Sequence, residues 1–444
     1  MSTLHERLEA LADDAPSGGL DPALYDRARR YHRRRRAGTA LVVAAAVLGV
    51  LGIAGGAHLQ TRADVQPAAP SAAAAVPERL YAPSPWLSGT DDDGPLGRIA
   101  VLMTDQERKS WISADHEAVV GISATTGEYR FLDLPDDAGQ GWALSPDGRR
   151  VAFWITGATT GTANTQAGQA LPVTGLAVYD ADTGGVLRYP VETAHGLMVD
   201  RNSSLAWADA DHLVFSFSQW RGGDGASGER ASMSGPGAPL SVWKVGAEAP
   251  RTIDPETVSS EVEATNGRGE VLVGDYAYAV SDGSRHRLRT PGRSMTRSSA
   301  LSPSGGLVAY PRGNGNPAPI VIVGHAGNRV VDSSVPGNDE TFSVFAWLDA
   351  GHLLAEEYAP QSRYRTDLYR VNIRTGVSQR VVRLAGPGNF RYSGQLATDL
   401  LDAGFVARPA PPTPWDPRTV AGAVAALIAA ACVVLVLWRR RVRL

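Results

Sequence analysis

Two hydrophobic patterns alternate along the chain. Two uncharged apolar runs, Ala37 to Leu59 and Thr419 to Trp438, bracket a long middle segment, and each supplies about the 20 residues that a membrane-spanning helix needs. In the middle segment the apolar residues come in short stretches separated by polar, Gly-containing turns, as where Ser145-Pro146-Asp147-Gly148 leads into Arg150-Val151-Ala152-Phe153. Period-two alternation between turn signals predicts strands, not helices. The expected order is a tail (1–36), a span (37–59), an Ala/Pro linker (60–78), a β domain (79–408), a Pro-rich linker (409–418), a second span (419–438) and a basic end (439–444).

Arginines sit on one side of each run, at Arg33 to Arg36 before the first and at Arg439, Arg440, Arg441 and Arg443 after the second. Basic residues stay cytoplasmic, so both termini are expected in the cytoplasm, with the β domain outside the plasma membrane. A cleaved export signal is the alternative for the first run, because Gly55-Gly56-Ala57 offers small residues at a cleavage position. In the tail, Thr3-Leu4-His5-Glu6 is a capping box, and Leu4, Leu8 and Leu11 fall on one helical face.

Inside the β domain the pattern repeats. Ala143-Leu144-Ser145-Pro146-Asp147-Gly148 returns as Ala300-Leu301-Ser302-Pro303-Ser304-Gly305, and Ala206-Trp207-Ala208-Asp209-Ala210-Asp211-His212 as Ala346-Trp347-Leu348-Asp349-Ala350-Gly351-His352. Each unit reads as a hairpin followed by a third and fourth strand, and four antiparallel strands repeated every 40 to 50 residues or so mark propeller blades. The Ser-Pro-Asp-Gly turn resembles that of TolB-like and WD-type β-propellers, which implies an all-β fold. Six units are recognisable, from Gly97 to Leu384. The leftover strands Leu80 to Leu87 and Tyr392 to Arg408 are expected to close the ring by pairing first with last, giving six or seven blades.

Composition narrows the function. Net charge is −3 and both ends are basic, so the β domain is acidic and unsuited to nucleic acid. Lys109 and Lys244 are the only lysines against many arginines, a bias of GC-rich bacterial genomes of the actinobacterial kind. The single cysteine, Cys432, lies in the second run, which excludes an intramolecular disulfide and thiolate zinc sites. No Gly-x-Ser-x-Gly elbow, His-Glu-x-x-His, phosphate loop or dinucleotide fingerprint is present, so neither catalysis nor a cofactor is expected. Asp91-Asp92-Asp93 is contiguous, where a calcium loop needs alternate ligands, and reads as a loop. His212 and His352 occupy equivalent repeat positions, as do Trp207 and Trp347, and read as repeat structure.

The connection after the second strand of a unit is long at Gly157 to Leu171 and at Gln219 to Pro239, and again non-minimal at Gly313 to Pro319 and Tyr358 to Thr366. In a propeller these all emerge on one face, the pattern expected of a binding face. Its aromatic and arginine residues are Trp220, Arg221, Arg230, Tyr358, Arg363, Tyr364 and Arg365, types enriched in interaction hot spots. The expected function is a membrane-held binding or scaffolding module for a protein or envelope ligand. One alternative is a transmembrane regulator: the capped tail resembles those of actinobacterial membrane proteins associated with sigma factors, which implies a cytoplasmic partner at Leu4, Leu8 and Leu11. The other is an enzyme with its site in the central channel.

Overall fold

The structure is a computed structural model. It describes residues 73–111, 114–165, 171–199, 205–220, 239–254, 262–288, 299–311, 319–324, 327–333, 335, 342–358, 366–385 and 394–441, together with Asp13 and Ala23. The chain divides into two compact units, one spanning Val65–Pro414 and the other holding Met1–Asp64 and Trp415–Leu444.

Val65–Pro414 is a six-bladed β-propeller among the described residues. Blade 1 takes its innermost strand from the end of the domain, Gly394–Leu396, followed outward by Ile99–Arg108, His116–Ser123 and Tyr129–Phe131. Blade 2 runs Ala143–Leu144, Arg150–Thr156, Val173–Asp180, Val186–Pro190, and blade 3 Leu205–Trp207, His212–Ser216, Leu240–Lys244, Arg251–Asp254. Blade 4 runs Ala264–Thr265, Glu270–Val273, Tyr276–Ala279, Arg285–Arg287, and blade 5 Ala300–Leu301, Leu307–Pro311, Pro319–Gly324, Gly327–Asp332. Blade 6 is Phe342–Asp349, His352–Tyr358, Thr366–Asn372 and Ser378–Ala385, with Arg79–Tyr81 added in parallel at its outer edge. The leftover strands thus close the ring twice, once inside blade 1 and once outside blade 6. The blade number is therefore six.

Alternation explains the packing. In the second strand of blade 2, Val151, Phe153 and Ile155 face the blade 1 side, while Ala152 and Trp154 face blade 3. Both faces of such a strand are buried, which is why it is apolar almost throughout. Each pair of neighbouring blades shares a hydrophobic cluster, and one large cluster joins blades 6, 1 and 2 across the closure. Fourth strands such as Val186–Pro190 are largely open to solvent.

The repeated residues are structural. The indole N–H of Trp207 donates to Ala143 O of blade 2, and that of Trp347 to Ala300 O of blade 5, both at 2.9 Å. Each pins an inner strand to the preceding blade. Trp347→Phe removes this bond from a buried setting, and a loss of about 1–2 kcal/mol is expected, checked as a lowered urea midpoint of the full chain. His212 and His352 place Nδ1 2.9 Å from Asp209 and Asp349, locking the turn between the first two strands. In the turn that lacks its Asp, Ser304 Oγ takes that place, 3.2 Å from Ser302 Oγ.

In the other unit, Pro417–Arg441 is a helix of 25 residues, long and apolar enough to cross a membrane. It extends beyond the expected apolar run at both ends. Asp416 caps its start, accepting Arg418 N on its carboxylate at 2.8 Å, with Pro417 at the first position, where its missing N–H costs nothing. The first apolar run, 37–59, and the tail leucines Leu4, Leu8 and Leu11 lie outside the described residues.

Candidate functional site

Strand order assigns the faces. In every blade the first strand descends from one face and the second returns to it, so the second-to-third connections and the links between blades share one face, called here the loop face. The first-to-second and third-to-fourth turns share the other, the turn face. The long connections 157–172, 220–239 and 359–365 leave from strand ends on the loop face, whereas that of blade 4, between Val273 and Tyr276, is minimal.

A cleft of about 1100 Å³ opens on the loop face where blades 1 and 2 meet. The end of the second strand of blade 1 contributes Thr104, Asp105 and Arg108, and the start of the third strand contributes His116 and Glu117. The link between the blades supplies Leu132 to Asp136 and Ala138 to Trp142, and the inner strand supplies Gly394 and Gln395.

Local structure shapes this wall. The ladder of blade 1 slips between Met103 and Gln106, and Asp105 in the bulge has φ 56°, the one positive value at a non-glycine among the described residues. Such a bulge re-aims a side chain, and Asp105 is exposed while Thr104 and Gln106 beside it are buried. Thr104 Oγ1 donates to Asp105 Oδ2 at 3.2 Å and Gln106 Nε2 to Thr104 O at 2.6 Å. Gln395 fixes the floor: its Oε1 accepts Leu144 N and its Nε2 donates to Trp142 O, both at 2.6 Å. The Trp142 ring lies 5.3 Å from that of Phe153.

Asp133 organises the rim. It pairs with Arg108, whose guanidinium also stands 5.1 Å over the Phe131 ring, and it accepts Asp91 N at 2.7 Å. A Cβ on Gly89 would fall 1.9 Å from the Asp133 carboxylate, so glycine there admits the contact. Asp91-Asp92-Asp93 is consequently not a loop as expected: with Thr90 it forms a one-turn helix, Thr90–Asp93, whose amide end faces the Asp133 carboxylate. The cleft is lined by five carboxylates, Asp91, Asp105, Glu117, Asp133 and Asp136, against Arg108, already bound to Asp133, and His116. It is an acidic site with an apolar floor at Leu132, Ala138 and Trp142.

Of the residues expected on the binding face, Trp220 is described. It is half-buried, its N donates to Gly196 O at 3.0 Å, and it follows the short strand Ser218–Gln219, which pairs with Leu197–Met198. Trp220 therefore packs on the link between blades 2 and 3 and is absent from the cleft. Tyr358 ends the second strand of blade 6 on the loop face. Arg221, Arg230, Arg363, Tyr364 and Arg365 lie outside the described residues. Sequence reasoning missed Asp105, Arg108, Asp133, Trp142 and Gln395. The one local signal was the break from apolar Ile99 to Met103 into Thr104-Asp105-Gln106.

On the turn face the channel mouth is crossed by a 3-10 helix, Thr398–Ala403, with Leu400 and Leu401 buried. Asp399 N donates to Pro146 O of the blade 2 turn at 2.9 Å, and a Cβ on Gly267 of the blade 4 turn would meet Thr398 Oγ1 at 3.1 Å and Pro146 Cβ at 3.3 Å. Burial, reinforced by Asp147, pushes the Asp399 carboxyl up from its ordinary value. Among the described residues no group of three His, Cys, Asp or Glu side chains is placed to hold a metal ion.

No family model matches the sequence, and no curated relative matches it. Among solved structures it is similar to TolB from Acinetobacter baumannii, at 14% identity and TM-score 0.37 over 66% of each chain, just under two thirds of that protein's length. It is also similar to a putative TolB from Agrobacterium tumefaciens, at 11% identity and TM-score 0.36 over 64% of this chain and 90% of that one. An oligogalacturonate lyase from Vibrio parahaemolyticus matches at 11% identity and TM-score 0.34, over 60% of this chain and 71% of that one. The six-bladed architecture rests on the strand pairings themselves.

Proposed function

We propose that the chain is a membrane-anchored extracytoplasmic β-propeller that binds a protein or envelope ligand on its loop face and carries out no catalysis. The observation that carries this reading is the one-sidedness of the domain. The long connections and the 1100 Å³ cleft share the loop face, while short turns and the Thr398–Ala403 segment cover the other. Loop insertions confined to one face of a rigid scaffold are how binding surfaces are built, and the cleft has the size and mixed lining of a ligand site. Its carboxylates favour a partner that brings cationic groups. Anchoring is supported by Pro417–Arg441 and by the apolar run 37–59. The bilayer is thus the second partner.

The test places a photo-crosslinking amino acid at Glu117 or Asp136 on the cleft rim, and at Glu248 in the blade 3 turn on the opposite face, in cells of the host. Discrete adducts from the rim positions alone, lost when Asp105→Lys is added, are the expected result. Adducts of equal yield from both faces, or rim adducts indifferent to the charge reversal, overturn the reading.

A further inference from the structure

The two ends of the propeller leave it side by side. Val76–Pro77 pairs in parallel with Phe405–Val406, and Glu78 N donates to Val406 O at 2.8 Å. Arg408 then reaches back across the junction, donating to Ala73 O at 3.3 Å and to Ala124 O at 2.8 Å. Its side chain fills the space over Gly127, where a Cβ would come within 2.7 Å of Arg408 Cβ. Ala124 and Gly127 belong to the turn between the third and fourth strands of blade 1. The exit of both ends is therefore on the turn face, opposite the cleft. From there Arg79–Tyr81 climbs the outer edge of blade 6 in parallel with Arg383 to Ala385, which confirms the direction in which the chain enters. Downstream come Pro409, Pro411, Pro412 and Pro414, a composition that makes a semi-rigid spacer of about 3 Å per residue.

We infer that the propeller stands on its turn face, so that the cleft and the long connections are directed away from the bilayer and receive a soluble partner from the aqueous side. The inference rests on the anchoring reading above. Both tethers attach at the turn face, so that face is the one the linkers draw toward the bilayer and the loop face is the one they leave free. On the turn face the channel mouth is crossed by Thr398–Ala403, with its Leu400 and Leu401 buried. The cleft, with its carboxylate rim, is held about one strand length above that face.

The experiment uses the full chain with Cys432→Ser, removing the single native thiol, and a donor dye attached through a cysteine at position 117 or at position 248. Both sites are exposed, one on the cleft rim and one in the blade 3 turn. The protein is reconstituted into phosphatidylcholine vesicles carrying an acceptor dye on the headgroups. A strand of about seven residues separates the faces by roughly 25 Å, so energy transfer from position 248 is expected to exceed that from position 117 by about twofold or more. Equal transfer, or greater transfer from position 117, with the protein floating with the vesicles, overturns the inference and leaves anchoring intact. Protein that fails to float with the vesicles overturns anchoring itself and the inference with it. Preserved urea midpoints of both labelled variants show that the dyes report on a folded propeller.

Discussion

Gly148→Ala lowers the stability of the propeller by about 3–5 kcal/mol, whereas Gly184→Ala, at the same backbone angle in the same blade, costs about 1 kcal/mol. Both glycines have φ 75°, a region where any L side chain is strained. They differ in what surrounds them. A Cβ on Gly148 would stand 2.1 Å from Ile99 O and 3.1 Å from Ala397 Cβ, while one on Gly184 would meet nothing within 4 Å. Gly148 closes the Ser145-Pro146-Asp147-Gly148 turn through its N–H to Ser145 O at 2.9 Å, and its own carbonyl accepts Ile99 N at 2.6 Å. Ile99 begins the second strand of blade 1, and Ala397 follows the strand that closes the ring. A methyl group here must push the blade 2 turn away from both chain ends that meet at the closure. The measurement is the urea midpoint of each variant in the full chain. Equal losses for the two substitutions would show that the backbone angle alone matters and that the turn has no part in closing the ring.

That turn also shows what was legible in the sequence. Repetition exposed the blades, because each blade is built from a local pattern of strand, tight turn and strand, and the pair Trp207 and Trp347 does the same work at two places in the ring. The face of the long connections followed from strand order alone. Ring size did not, since it depends on Gly394–Leu396 pairing with Val101 to Met103, nearly 300 residues away. The cleft was hidden for the same reason. Asp105 and Gln395 have no spacing relation in the chain, and Asp105 faces outward because of a bulge that no residue type announces. The helix at Thr90–Asp93 likewise depends on a carboxylate 42 residues further on. Trp220, read from residue type as part of the binding face, stands half-buried beside Gly196, and its role there is a proposal. Expectations resting on Arg221, Arg230, Arg363, Tyr364 and Arg365 remain proposals of sequence.

The propeller is more stable at pH 5 than at pH 8, and Glu356→Gln abolishes most of the difference. Glu356 lies in the second strand of blade 6, opposite Ser343 on one side and Leu368 on the other. Leu368 and its own neighbour Val382 are fully buried in the cluster that joins blade 6 to blade 1. Burial among such residues pushes the carboxyl from 4.5 up to about 7, and the bond it accepts from Ser343 Oγ at 3.0 Å offsets only part of that. The folded state therefore holds its proton more tightly than the unfolded chain. Below pH 4.5 both states are protonated and nothing is lost. As pH rises from there toward 7 the unfolded chain releases its proton first, so stability falls, and above 7 the folded state carries a buried charge at a cost on the order of 2–3 kcal/mol. Asp399 is pushed up like Glu356 and adds to the same slope, whereas Asp211 and Asp349 are shifted the opposite way, and their contributions are lost only as pH falls below the ordinary carboxylate range, outside this window. Ser343→Ala removes the bond that favours the charged form, so it steepens the same slope, moving the Glu356 carboxyl further up. Urea unfolding of the full chain at pH 5, 6, 7 and 8 reads the effect. A slope unchanged in the Glu356→Gln variant would assign the pH dependence to other groups and show that this carboxyl reaches water at the seam between the last blade and the first.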